Sequence, residues 1–183
     1  MEIRGWRAFL LLGMAFAAMA SGAHAQELTL FAGGVFPGQA TVHNALTSLD
    51  RGPMYGVRLS APFAPFLKLE GSLALSNDFL FPSDAAGVTS AKGFLADANL
   101  VIGIPAGKAV PYVTAGIGII HQYGSNNLPV GTKLDVNYGG GLKIPKLFGP
   151  AGLRFDARGR SALRVFSRAV NMFEFSAGVM FSF

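Results

Sequence analysis

The stretch that most constrains the fold is Phe173 to Phe183, read FEFSAGVMFSF. Successive side chains of an extended strand point to opposite faces. Phe173, Phe175, Ala177, Val179, Phe181 and Phe183 therefore share one face, and Glu174, Ser176, Gly178, Met180 and Ser182 share the other. The first face is aromatic and apolar. The second is small or polar and holds one carboxylate, so the strand is expected to separate two different media.

The same period of two recurs along the chain. It predicts strands at Glu27 to Val35, Tyr55 to Ser60, Phe66 to Ser76, Lys92 to Ile104, Pro111 to Ile119, Lys133 to Ile144, Ala151 to Arg160 and Phe173 to Phe183, eight in all. In the third, Leu67, Leu69, Leu73 and Leu75 oppose Lys68, Glu70, Ser72 and Ser76; in the seventh, Leu153, Phe155 and Ala157 oppose Arg154, Asp156, Arg158 and Arg160. Between strands, Phe36 to Pro53, Asn77 to Ala91, His121 to Thr132 and Ser161 to Val170 lack a period and read as long loops. Ala61 to Pro65, Pro105 to Ala109 and Pro145 to Pro150 read as short turns rich in proline, which has no N–H for a ladder. Long and short connections alternate. With an even strand count, the first strand is expected to close antiparallel on the last, bringing Leu28, Leu30 and Ala32 against Phe173 to Phe183.

Composition decides what surrounds such a sheet. Of 183 residues 51% are hydrophobic and only 14% charged, with mean hydropathy +0.41; soluble domains carry about 25% charged residues. After residue 25 no stretch approaches the ~20 apolar residues that a spanning helix needs. The remaining way to cross a bilayer with every backbone group satisfied is a closed barrel, whose strands need about 9 to 11 residues. The absence of cysteine excludes disulfides and thiolate chemistry, and three histidines without a partner motif offer no metal cluster or cofactor site.

Residues 1–25 have the layout of a secretory signal peptide: Arg4 and Arg7, an apolar core from Ala8 to Ala20, and the small-x-small site Ala23-His24-Ala25 before Gln26. The barrel domain is then 26–183. Removing Glu2, Arg4 and Arg7 changes the balance from 15 basic against 10 acidic residues to 13 against 9, a net +4. No Lys/Arg run accompanies this charge, and export argues against nucleic acid as a partner.

The strand charges are the candidate functional residues. Arg58, Lys68, Glu70, Asp97, Asp135, Lys143, Arg154, Asp156, Arg158, Arg160 and Glu174 all fall on the polar faces, and the apolar rows carry none. A soluble lipocalin-like barrel would use the same alternation inside out, with leucine and phenylalanine in its cup. The export signal, the hydropathy and Phe183 favour lipid outside and charge inside. An eight-stranded barrel is just wide enough for its interior side chains to fill it. Six cations against five anions then form a compensating plug, since buried charge must be paired. The hairpin of the last two strands places Glu174 opposite or diagonal to Arg158, which is expected to be its partner.

Pro111 to Gly118, Asn137 to Leu142, Leu153 to Arg158 and the closing Phe183, in this order, resemble the small OmpA-like outer-membrane β-barrel family over the whole chain after residue 25. The resemblance implies an all-β, eight-stranded, antiparallel up-and-down transmembrane barrel in the cell outer membrane, monomeric, in contact with lipid and lipopolysaccharide. It also implies that Phe173, Phe175, Phe181 and Phe183 form the signal read by the outer-membrane assembly machinery. A non-enzymatic structural or surface-interaction role through four extracellular loops is expected, the first two loops offering Val42, Ala45, Leu46, Phe79, Leu80 and Phe81. The alternatives are a narrow porin-like channel and a lipid A-modifying enzyme using His121. Ser125 lies four residues on in what reads as a loop, and no acidic orienter follows.

Overall fold

The computed structural model describes residues 27–38, 40–42, 45–47, 51–77, 91–124, 131–165 and 168–183. The signal-peptide region and residues 78–90, with Phe79, Leu80 and Phe81, lie outside the described residues. The strands are β1 (Glu27–Pro37), β2 (Ala40–Val42), β3 (Ala45–Thr47), β4 (Gly52–Ala64), β5 (Leu67–Asn77), β6 (Ala91–Gly103), β7 (Val110–Gly124), β8 (Thr132–Phe148), β9 (Ala151–Val165) and β10 (Arg168–Ser182). Eight of them close into an antiparallel barrel in the order β1-β10-β9-β8-β7-β6-β5-β4, while β2 and β3 pair in a separate two-stranded sheet.

Closure follows the alternation. On β10, Phe181, Val179 and Ala177 register with Leu28, Leu30 and Ala32 of β1. β1 also pairs β4, leaving no open edge in the barrel. Outward rows carry the exposed apolar side chains, among them Leu30, Leu100, Val113, Ile117, Leu134 and Phe155. Most exposed aromatics gather at the two ends: Phe63, Phe66, Phe148 and Phe183 at the end holding Glu27 and Ser182, here the near end, and Phe36, Tyr55, Tyr123 and Phe173 at the far end, with Tyr138 and Phe155 between them. An apolar band flanked by aromatic girdles is the surface of a membrane barrel. Among the described residues the outward rows are not wholly free of charge: Lys92 is exposed at the far end of β6 and Lys146 at the near end of β8. Both sit where a band of limited height ends, which is why they are tolerated.

Several strands are longer than periodicity predicts. β4 runs through Pro53 and Pro62, and the turn shrinks to Pro65 and Phe66. A slip in the ladder between Pro62 and Ala64 absorbs the missing donor. β8 continues to Phe148 over an irregularity after Ile144, leaving Gly149 and Pro150 as its turn. Gly149 adopts φ 64°, the left-handed conformation that favours glycine. At the far end β7 extends to Gly124, so His121 to Tyr123 are strand and not loop. The expected fourth loop, Ser161 to Val170, is largely hairpin, because β9 reaches Val165 and β10 starts at Arg168. Phe36 to Pro53 is likewise partly ordered as the β2–β3 hairpin.

A charge placed at mid-band should be far costlier than one at the girdle. Ile117→Arg is expected to destabilise the folded barrel by about 2–4 kcal/mol and Phe148→Arg by about 0–1 kcal/mol, read from unfolding titrations in lipid vesicles.

Candidate functional site

Arginines on β9 span the bore because the strand alternates Arg154, Asp156, Arg158 and Arg160 on its inward face. β5 lies four strands from β9 in either direction, on the opposite wall. Its Glu70 accepts from Arg154 Nη1 at 2.6 Å and from Arg158 Nη2 at 2.7 Å, so both contacts cross the full diameter. Asp156 accepts from Arg154 Nε and Arg158 Nη2, each at 3.0 Å, and from Arg58 Nη1 of β4 at 3.0 Å. Arg58 Nη2 also donates to Glu174 Oε1 of β10 at 2.7 Å. Glu174 Oε2 accepts from Arg160 Nε at 2.9 Å, and Arg160 reaches on to Asp97 of β6 at 2.6 Å and Asp135 of β8 at 2.9 Å.

Nine residues thus form one continuous network: Arg58, Glu70, Asp97, Asp135, Arg154, Asp156, Arg158, Arg160 and Glu174. Each is at most 5% exposed. The register places Glu174 opposite Arg158, yet its carboxylate bonds Arg58 and Arg160 instead. The expected Glu174–Arg158 pair is therefore corrected. A guanidinium is long enough to reach the far wall, and Arg158 spends its reach on Glu70 and Asp156.

Lys68 and Lys143 stand apart from this network. Both bond Glu27 of β1, Lys143 Nζ at 2.6 Å and Lys68 through the other carboxylate oxygen. Glu27, the first residue of β1, is the lumen anion that the periodicity of that strand leaves unassigned to a face. With it the lumen holds six cations and six anions among the described residues. Two aromatic rings also lie inside. Arg58 Cζ stacks 3.6 Å from the Phe31 ring centroid, an arrangement that Gly56 permits, since a Cβ there would sit 2.8 Å from Phe31 Cζ. Tyr112 links the two charge groups: its hydroxyl donates to Asp156 and accepts from Arg154 Nε at 3.0 Å, and Lys143 Nζ lies 5.3 Å from its ring.

The lumen is not polar throughout. Above the network, toward the far end, the inward positions include the apolar Val35, Met54, Leu95, Ile120 and Met172, each at most 1% exposed, beside the buried polar Ser76 and Gln122. This apolar layer adds to the polar interior that the strand charges suggest. Its signal was hidden because each residue adjoins outward apolar neighbours, as in Phe94-Leu95-Ala96, where alternation of polarity vanishes.

His121 lies in β7 near the far-end rim, its Nδ1 2.7 Å from Thr132 Oγ1 and its ring stacked on Tyr123. Ser125 lies outside the described residues. No group of three or more His, Cys, Asp or Glu suited to a metal occurs among the described residues. Phe173, Phe175 and Phe183 are exposed on the outer surface and Phe181 is half-buried there.

A closed eight-stranded sheet with charge inside and apolar rows outside defines an outer-membrane β-barrel fold. No family model and no curated protein sequence matches the chain. Among solved structures, Neisserial surface protein A superposes with a TM-score of 0.66 at 14% identity, over 89% of this chain and 100% of that one. OprG, an outer membrane protein of Pseudomonas aeruginosa, superposes with a TM-score of 0.59 at 12% identity, over 88% of this chain and 98% of that one. At these identities the likeness is one of fold.

Removing one partner from the network leaves buried charge uncompensated. Glu174→Ala is expected to cost about 3–5 kcal/mol, with loss of the heat-modifiable gel shift at lower temperature. Lys68, whose side chain is 30% exposed, should tolerate Lys68→Ala at a cost below about 1 kcal/mol.

Proposed function

We propose that this chain is an integral outer-membrane barrel, exported by a signal peptide cleaved after Ala25, that neither conducts nor catalyses and serves as a rigid scaffold for its far-end connections. The observation that carries this reading is the doubly sealed lumen. Arg–carboxylate pairs cross the bore between opposite walls, and the layer of Val35, Met54, Leu95, Ile120 and Met172 lies above them. A hydrated ion meets first an apolar constriction and then side chains already engaged with one another.

The near end, with tight turns at Pro65–Phe66 and Gly149–Pro150, faces the periplasm, and the far end faces the exterior. This orientation follows the rule that long connections of such barrels lie outside. The outward apolar rows contact lipid and lipopolysaccharide, and the chain acts as a monomer. Phe173, Phe175, Phe181 and Phe183 supply the row read by the assembly machinery. In this reading His121, with Nδ1 2.7 Å from Thr132 Oγ1 and its ring stacked on Tyr123, is a rim residue of the scaffold.

Planar-bilayer recording of the purified, refolded chain is expected to give no steady conductance steps. Discrete ohmic openings would establish the narrow-channel alternative. If the scaffold reading holds, replacing residues 40–47 with a short Gly/Ser linker should leave unfolding of the barrel unchanged while altering adhesion of expressing cells to host surfaces.

A further inference from the structure

The near-end mouth of the lumen is a pocket of about 220 Å³. Its polar floor is Glu27, Lys68 and Lys143, backed by the Tyr112 ring, and its walls include Phe66, Val101, Val110 and Met180. The two ammonium groups share a single carboxylate, bonding one oxygen each. Each ammonium has three donors. Lys143 is almost fully buried and Lys68 partly open to the mouth, so a cluster with one excess positive charge is walled by apolar side chains. Nothing in the scaffold role above requires a cavity there.

Backbone strain marks the same place. Phe66 adopts φ 63°, a left-handed conformation unusual for a bulky residue. It is held by the turn it makes and by Gly103 N–H donating to its carbonyl at 3.0 Å. Strain of this kind collects at ligand clamps and switches, and here it sets an exposed aromatic ring at the lip of the pocket.

We propose that this mouth binds a small organic monoanion, a carboxylate with a short apolar body, drawn from the periplasmic side. At the mouth itself two ammonium groups face one carboxylate, and the oxygens of the bound carboxylate accept the lysine donors that Glu27 leaves free. The apolar body lies along Phe66, Val101 and Met180. The mouth is small, which limits the body to a short chain such as that of butanoate. A cation meets a like-charged floor. A bare inorganic anion gains nothing from the walls.

The test is a titration of the uniformly ¹⁵N-labelled, detergent-folded chain with butanoate, butylamine and inorganic phosphate, following the amides of Val101, Tyr112 and Lys143. Saturable shifts confined to these and neighbouring near-end amides are expected with butanoate, with weaker binding of phosphate and none of butylamine. Lys68→Gln, which leaves Glu27 held by Lys143, should weaken butanoate about tenfold or more, the loss of one charge-assisted hydrogen bond. Val110→Trp, which fills the pocket from its rim, should abolish binding with the melting temperature preserved. Butylamine shifts equal to those of butanoate, phosphate binding as tight as butanoate, or unchanged affinity in both variants would overturn the proposal.

Discussion

Four arginines buried inside an eight-stranded barrel are the constraint on which the rest of the structure depends. A guanidinium stays charged at any accessible pH, and enclosing one without partners is prohibitive. Arg58, Arg154, Arg158 and Arg160 therefore dictate where Glu70, Asp97, Asp135, Asp156 and Glu174 must stand. Five strands supply those five carboxylates to the common network. Because Arg154 and Arg158 of β9 meet Glu70 of β5, the ion pairs work as struts between walls that share no backbone hydrogen bond.

Filling the bore with charge also determines what the outside must be. The chain has enough apolar side chains for one surface of the sheet, and the arginines have claimed the inner one. The apolar rows then face outward, which suits lipid and not water. Small inward residues complete the fit: a Cβ at Gly118 would lie 2.6 Å from Asp135 Oδ1, so glycine there leaves the space in which the carboxylates approach Arg160. Toward the far end the interior turns apolar, and the barrel carries a short conventional core above its ionic one. The two layers differ in chemistry.

Much of this arrangement was legible in the order of residues. A period of two is a direct readout of face, so Leu153-Arg154-Phe155-Asp156 announces an outward and an inward row, and the pairing of the last strand with the one holding Leu28, Leu30 and Ala32 follows from closure, though its register does not. Side-chain partners were not legible, because periodicity gives only neighbours along the ladder while arginine reaches across the bore; hence Glu174 meets Arg58 and Arg160. Pro53 and Pro62 read as strand ends, although in this sheet the ladder runs past both. The apolar layer has no signature in the pattern because Leu95 and Ile120 sit among outward apolar residues. Glu27 has none because it begins its strand.

The central claim is that lipid lies outside this barrel and the charges inside. The absence of cysteine from the sequence makes it directly accessible to spin labelling at Val113→Cys and Ala115→Cys, two outward positions of β7. In lipid vesicles the labels are predicted to collide with dissolved oxygen and to be shielded from a water-soluble nickel complex. Strong collision with the nickel complex at both positions would contradict the account, placing the apolar rows against water and the barrel outside the membrane.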